Sequence, residues 1–316
     1  MKAIQGIHHI TAIAGDPQAN IAFYHSLLGQ RLVKRTVNFD DPGTYHFYFG
    51  DGAGTPGTIL TFFPWQRMPR GVRGNGEVAA TAYTIPTTAM GFWKTRLTEH
   101  GIPFKEEGPR FGAQLLSFTD PDGMGIELVA SDEPTTIQHW ADGPIPAEYA
   151  LRGFHSATLW VSGAAATGQL LTEQLGYEPM GQEENRYRYR GASHDIGLYV
   201  DLLEQPNLPP ARMGAGSVHH IAFRTVDDTE QAEYKQLLHK AGYGVSPVMD
   251  RQYFHSIYFR SPGGVLFEVA TDSPGFAYDE PMAELGQNLK LPDWLEPERE
   301  KIAAKLPPIS LATLTV

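Results

Sequence analysis

Apolar and polar positions along the chain fall into short runs punctuated by glycine and proline, and one order of runs recurs four times. From Ile4 to Trp65 the apolar stretch IHHITAIAG predicts a strand. PQANIAFYHSLLG then places its apolar residues on one helical face, and KRTVNF, TYHFYFG and GTILTFF predict three further strands. Gly76 to Ser131 repeats this order through EVAATAYTI, the helix MGFWKTRLTEHG, PFKEEG, AQLLSFTD and GIELVAS. Leu151 to Leu203 repeats it with GFHSATLWV, AATGQLLTEQLG, EPMGQ, RYRYRG and DIGLYVDLL. Gly216 to Thr271 does so with SVHHIAFRT, DTEQAEYKQLLHKAG, GVSPVM, FHSIYFRS and GVLFEVATD. Each predicted helix runs into a glycine (Gly29, Gly101, Gly176, Gly242), the residue that most easily takes the left-handed conformation ending a helix. The unit is βαβββ, used four times, and the fold class is α+β.

The repeats divide the chain into two expected domains, 1–132 (modules 4–65 and 76–131) and 151–271 (modules 151–204 and 216–271). A proline-rich polar linker, 133–150, separates them, and a C-terminal extension, 272–316, carries one short predicted helix in LPDWLEPEREKIAAKL. With 41% hydrophobic and 19% charged residues, 316 residues can bury a sizeable core. A net charge of −11 argues against nucleic acid and anionic membrane surfaces as partners. No apolar run is long enough to span a bilayer and the first residues lack a signal-peptide pattern, so a cytoplasmic location is expected. The absence of cysteine leaves His, Asp, Glu and hydroxyl side chains to carry any chemistry.

Twelve histidines scattered at random would give on average less than one adjacent pair, yet two pairs occur, His8-His9 and His219-His220. Both lie in the first strand of a module. Side chains alternate across a strand, so only one histidine of each pair is expected to face a given cavity, and periodicity does not say which. Superposing the four first strands puts His9, Ala80, Ser156 and His220 in one column; the last strands put Thr61, Glu127, Leu198 and Glu268 in another. Two imidazoles and one carboxylate form the facial triad that leaves open positions on non-haem Fe(II). An ionised Glu268 between Phe267 and Val269 also needs a cationic partner to offset its desolvation.

The HHI strand of the first module, and HHIAF followed by FEVA and RQYFHSIYF in the fourth, resemble the vicinal-oxygen-chelate superfamily of glyoxalases and extradiol dioxygenases. More narrowly, they are similar to ring-cleaving dioxygenases that act on hydroquinones. The likeness runs the length of the chain, into PGFAYDEP and PDWLEPER of the tail. It implies four glyoxalase-like modules forming two mixed-sheet half-barrels. By residue matching it implies His9, His220 and Glu268 as metal ligands, His8 and His219 in support behind them, and Arg251 and Tyr258 in the substrate pocket. The implied cofactor is Fe(II), with Mn(II) or another divalent ion as the alternative. The implied partners are a small aromatic substrate and dioxygen, and a homo-oligomer is compatible with the sequence.

Other readings stay open at this level. A glyoxalase-type lyase or isomerase ordinarily uses a second carboxylate where Thr61 stands, and a thiol transferase of the fosfomycin type has a shorter chain. A catechol extradiol dioxygenase would use the same three ligands, and a bleomycin-binding protein would keep the fold without the metal. Glu127 is expected in a salt bridge or in solvent and His155 in a structural role. No role is expected for His25, His46, His100, His139, His194, His239 or His255, although His255 lies near Tyr258 on its strand.

Overall fold

The computed structural model describes residues 3–193 and 195–311; His194 and the two chain ends (1–2 and 312–316) lie outside the described residues. The four repeats are present. The first gives β1 (Ile7–Ala14), β2 (Arg31–Asn38), β3 (Asp41–Gly50) and β4 (Ile59–Pro64). Its helix, α1 (Pro17–Ile21), continues in wider turns through Ala22–Leu27 and is capped by Asp16, whose carboxylate accepts the Ala19 amide at 2.7 Å. The second gives β5 (Glu77–Ile85), α2 (Met90–Glu99), β6 (Phe104–Arg110), β7 (Ala113–Thr119) and β8 (Gly125–Ala130). The third gives β9 (Phe154–Val161), α3 (Ala165–Gln169, extended by Leu170–Gln174), β10 (Glu178–Glu183), β11 (Arg186–Arg190) and β12 (Tyr199–Glu204). The fourth gives β13 (Val218–Thr225), α4 (Asp228–Lys240), β14 (Met249–Asp250), β15 (Phe254–Arg260) and β16 (Leu266–Pro274). The predicted strand at GVSPVM shrinks to the two residues of β14, because Pro247 has no N–H to give a ladder. All four predicted helix stops hold φ between 66° and 87°.

Two curled, mixed, eight-stranded sheets result. One runs β14-β15-β16-β13-β1-β4-β3-β2 and the other β10-β11-β12-β9-β5-β8-β7-β6. The first joins modules one and four across the antiparallel pair β1/β13; the second joins modules two and three across β5/β9. The boundary at 133–150 therefore divides the repeats but not the sheets, since each half of the chain gives one module to each sheet. Within every module the first and last strands are parallel neighbours. Strands paired this way are covered on both faces, which is why they read as near-continuous apolar runs. Ile10, Phe62, Ile221 and Phe267 of the first sheet and Tyr83, Leu128, Leu159 and Leu202 of the second share one buried cluster. Among the described residues no helix is long and apolar enough to cross a membrane.

The C-terminal extension lies along β2, and its predicted helix is α5 (Arg299–Lys305). Arg35 donates to the Gln287 carbonyl at 2.6 Å, and Arg31 donates to that of Ala283 at 3.0 Å. The anchor is Lys34, fully buried, whose ammonium meets Asp279 at 2.6 Å and Glu280 at 2.5 Å. Removing one member of a buried ion group strands the charge of the others, at a cost of about 3–5 kcal/mol. Lys34→Ala is accordingly expected to lower the free energy of urea unfolding by that amount and to expose the extension to proteolysis. An unfolding free energy within about 0.5 kcal/mol of the parent, the range of ordinary surface changes, would show that this anchor does not hold the tail.

Candidate metal centre

The seam between β1 and β13 carries both histidine pairs, and its register is broken twice. Ile7 pairs with Phe223 but His9 with Ala222, so His8 is one residue extra; Thr11 pairs with His220 but Ala12 with Val218, so His219 is extra on the other strand. The first histidine of each pair is thus a β-bulge residue, and bulges re-aim side chains. Strict alternation, expected from sequence, fails at both places. The ring of His8 turns to His9, with their Nδ1 atoms 2.9 Å apart, and that of His219 turns to His220 at 2.8 Å. His219 lines the same cavity as His220.

Both Nε2 atoms of His9 and His220 converge on Glu268, carried by β16 beside β13, at 3.4 and 2.9 Å from its Oε2. The three ligand atoms lie within 4.8 Å of one another, and among the described residues this is the only His/carboxylate group so arranged. Two atoms each about 2.1 Å from one ion and at right angles lie about 3.0 Å apart, so these separations match a shared divalent metal. Glu268 is completely buried; its Oε1 accepts the hydroxyl of Ser256 on β15, while Oε2 accepts no hydrogen bond. Burial alone would raise its carboxyl, but the imidazoles of His9 and His220 outweigh that and hold it well below the ordinary range. Burial keeps His220 low and therefore neutral, despite Glu268. A buried carboxylate whose Oε2 has no hydrogen-bond partner, with two imidazole Nε2 atoms within 3.4 Å of it, is arranged for the metal-bound state. The pairing of Nδ1 atoms fits the same state. If Nε2 of His9 and His220 is the ligand, Nδ1 bears the proton and donates it to the preceding histidine, which fixes ring and tautomer. His8, buried without any outlet, and His219, pushed to about 4 by burial and by His220, are held neutral and able to accept it.

His9 and His220, with Glu268 buried beside them, lie at the floor of a cavity of about 340 Å³ that the two histidines line together with Phe39, Phe63, Trp65, Phe254, Tyr48 and Tyr258. Tyr258 faces Glu268 across the β15/β16 ladder. Its phenol is raised above the ordinary tyrosine range by burial and by Glu268, and it accepts a hydrogen bond from Arg251 Nε at 3.2 Å. Arg251 also reaches Asp40 at 3.3 Å, joining the segment after β14 to the turn after β2, which brings the two edges of the curled sheet together over the cavity. The structure thus brings His9, His220, His219, Arg251 and Tyr258 to one cavity, with Glu268 buried against His9 and His220 and His8 beside His9. His255 does not join them; it faces Asp228 of α4 at 2.6 Å.

Sequence reasoning missed the wall opposite the fourth module. Tyr48 donates to Nδ1 of His46, whose Nε2 lies 2.9 Å from Thr61 Oγ1, and Thr61 in turn donates to Thr11. His46 and Tyr48 are two apart on β3 and Thr11 is two after His9, so each pair shares a face of its strand, and all four line the cavity. Thr61, at the position where a second carboxylate would stand, is committed to this chain of hydrogen bonds.

The second sheet carries a different set of residues at the corresponding place. Its seam has the same two bulges, at Ala79 and His155. Register there sets Thr158 against Asp201, as Ala222 is set against Glu268, so the equivalent of Glu268 is Asp201 and not the expected Leu198. Asp201 is buried and held by Arg188 at 2.8 Å and Arg186 at 3.1 Å, and Glu127 by Arg110 at 2.6 Å. Glu127 is therefore salt-bridged, as its lack of a histidine neighbour suggested. His155 is pushed down to about 3 by burial and by Arg188, and hydrogen-bonds Ser156 at 3.1 Å. Guanidinium groups supply here the positive charge that the first sheet leaves open.

A model of the Glyoxalase/Bleomycin resistance protein/Dioxygenase superfamily matches residues 6–128 and 153–269. The chain is 47% identical over 313 residues to a Bacillus subtilis (strain 168) protein, MhqO, provisionally named a ring-cleaving dioxygenase, with 99% of each covered. It is 36% identical over 309 residues to the chlorohydroquinone/hydroquinone 1,2-dioxygenase of Sphingobium indicum, with 95% of each covered. A crystal structure from Bacillus subtilis, provisionally described as a dioxygenase, superposes with a TM-score of 0.96 at 47% identity, covering 99% of this chain and 100% of that one. Glyoxalase I of Zea mays, 15% identical with a TM-score of 0.63 over 85% of this chain and 92% of its own, shares the fold.

Proposed function

The chain belongs to the glyoxalase/bleomycin resistance protein/dioxygenase superfamily, and within it we propose that the protein is an Fe(II)-dependent dioxygenase that opens a hydroquinone-type ring. The observation that carries the proposal is the orphaned Oε2 of Glu268 between the Nε2 atoms of two histidines that line an aromatic-walled cavity. His9, His220 and Glu268 would hold the ion on one side and leave its other positions to the cavity. Bound Fe(II) would supply the electron exchange with dioxygen that no side chain here provides, and would acidify a coordinated phenol.

The chain's own groups do the rest. Phe39, Phe63 and Trp65 exclude water and hold the ring by its faces. His8 and His219 keep the ligand imidazoles in the tautomer that presents Nε2. Arg251 stabilises negative charge that develops on the substrate, and Tyr258, neutral at physiological pH, donates its proton to an oxygen of the reacting ring. A hydroquinone offers the metal a single hydroxyl, so donors in the wall replace the second contact that a catechol would make. In the balanced reaction one ring C–C bond beside a hydroxyl breaks and both atoms of O₂ enter a muconic-type product. The relatives named as ring-cleaving dioxygenases support this reading. The commitment of Thr61 to Thr11 weighs against a lyase that needs a second carboxylate ligand.

The test is anaerobic reconstitution with Fe(II), followed by oxygen uptake and product spectra with hydroquinone, catechol and substituted relatives. Stoichiometric uptake with hydroquinone is expected. Uptake confined to catechol would move the substrate to the ortho diols, and none with any diol would refute the assignment.

A further inference from the structure

Most polar side chains on the cavity wall are already spoken for: Tyr48 by His46, His46 by Thr61, and Trp65 by Asp41 at 2.8 Å. Asn38 is an exception. It ends β2, lines the cavity, and is only 8% exposed. Its Oδ1 accepts the backbone N–H of Asp40 at 3.0 Å, which fixes the amide orientation and leaves the two N–H groups of Nδ2 without a partner among the described residues. A donor on the cavity wall is free to meet an acceptor on a bound molecule. β2 is the edge strand, three places from the His9 strand, and the turn that follows it meets Arg251 through Asp40. The sheet curls, so Asn38 stands on the wall across from the metal ligands.

We propose that Asn38 is a specificity-determining residue: its Nδ2 donates to an oxygen substituent at the end of the aromatic substrate remote from the metal, in a hydroquinone the para hydroxyl. The idea rests on the dioxygenase reading for its substrate. A catechol has no oxygen at that end, so this contact favours para over ortho diols by the worth of one hydrogen bond, about 3- to 10-fold.

The test uses the Fe(II)-reconstituted full chain and two near-isosteric inhibitors, 4-methoxyphenol, which has a para oxygen, and 4-ethylphenol, which has none. Asn38→Asp keeps the oxygen that caps the turn and loses the donors; Asn38→Ala loses both. In the parent, 4-methoxyphenol is expected to bind about 3- to 10-fold tighter than 4-ethylphenol. In both variants the ratio falls to near one, while KM for hydroquinone rises by a similar factor and kcat holds. A ratio that persists in both variants overturns the proposal. So does a loss in Asn38→Ala that Asn38→Asp restores, since the residue would then serve only the turn. If the parent consumes no oxygen with any diol, the dioxygenase reading fails by itself. Calorimetric binding of the two phenols to the same reconstituted proteins still decides the role of Asn38.

Discussion

His220→Ala is expected to abolish retention of a divalent metal, and with it oxygen uptake, whereas His155→Ala leaves both at the parent level. The two histidines make a demanding pair because each lies in the first strand of a module, at a bulged seam, buried and neutral. What separates them is the partner. His220 directs Nε2 at Glu268 Oε2, and its removal leaves one imidazole and a buried carboxylate to hold the ion. His155 hydrogen-bonds Ser156, and the carboxylate of its sheet is already neutralised by Arg186 and Arg188. Loss of groups that merely support a ligand costs about 10- to 100-fold in metal affinity, so loss of a ligand itself exceeds 100-fold. Anaerobic titration with Fe(II), and metal content after gel filtration, measure the difference. Equal losses in both variants would mean that the metal does not sit at the seam of modules one and four.

Much of this centre could be read from the chain because repetition supplies its own alignment. Four copies of one strand order expose His9 and His220 as the odd members of a column otherwise filled by Ala80 and Ser156, and Glu268 as a charge within an apolar run. What escaped depends on pairing between distant strands. A bulge exists only relative to a partner, so the extra residues at His8 and His219 were invisible, and with them the reason that adjacent imidazoles touch. Asp201 was missed for a related reason. Aligning the last strands on their apolar runs puts Leu198 of DIGLYVD in the column, whereas the ladder with β9 sets Asp201, three residues further on, at that place. His46 and Tyr48 gave no signal beyond the polar face that many strands show. Their place in the site follows from sheet curvature and from the joining of modules one and four.

Tyr258→Phe isolates the second large effect, a fall in kcat of about 100-fold with Fe(II) content unchanged, at the lower end of what a positioned proton donor contributes. The substitution removes one hydroxyl and keeps the ring that packs edge-on to His220 at 5.6 Å. Arg251 Nε donates to the phenol oxygen, so that bond does not use the phenol's own hydrogen. Burial and the charge of Glu268 raise the phenol above its ordinary range, outweighing the opposing pull of Arg251. The sign is therefore definite: the proton is retained past the ordinary tyrosine pKa of about 10, and a decline of activity between neutrality and that pH does not report Tyr258. The parent and Tyr258→Phe should accordingly share the shape of their pH–rate profiles and differ in height. A variant that keeps kcat and only raises KM would make Tyr258 part of the substrate wall. One that loses iron as well would make it a support for Glu268, which it faces across the ladder.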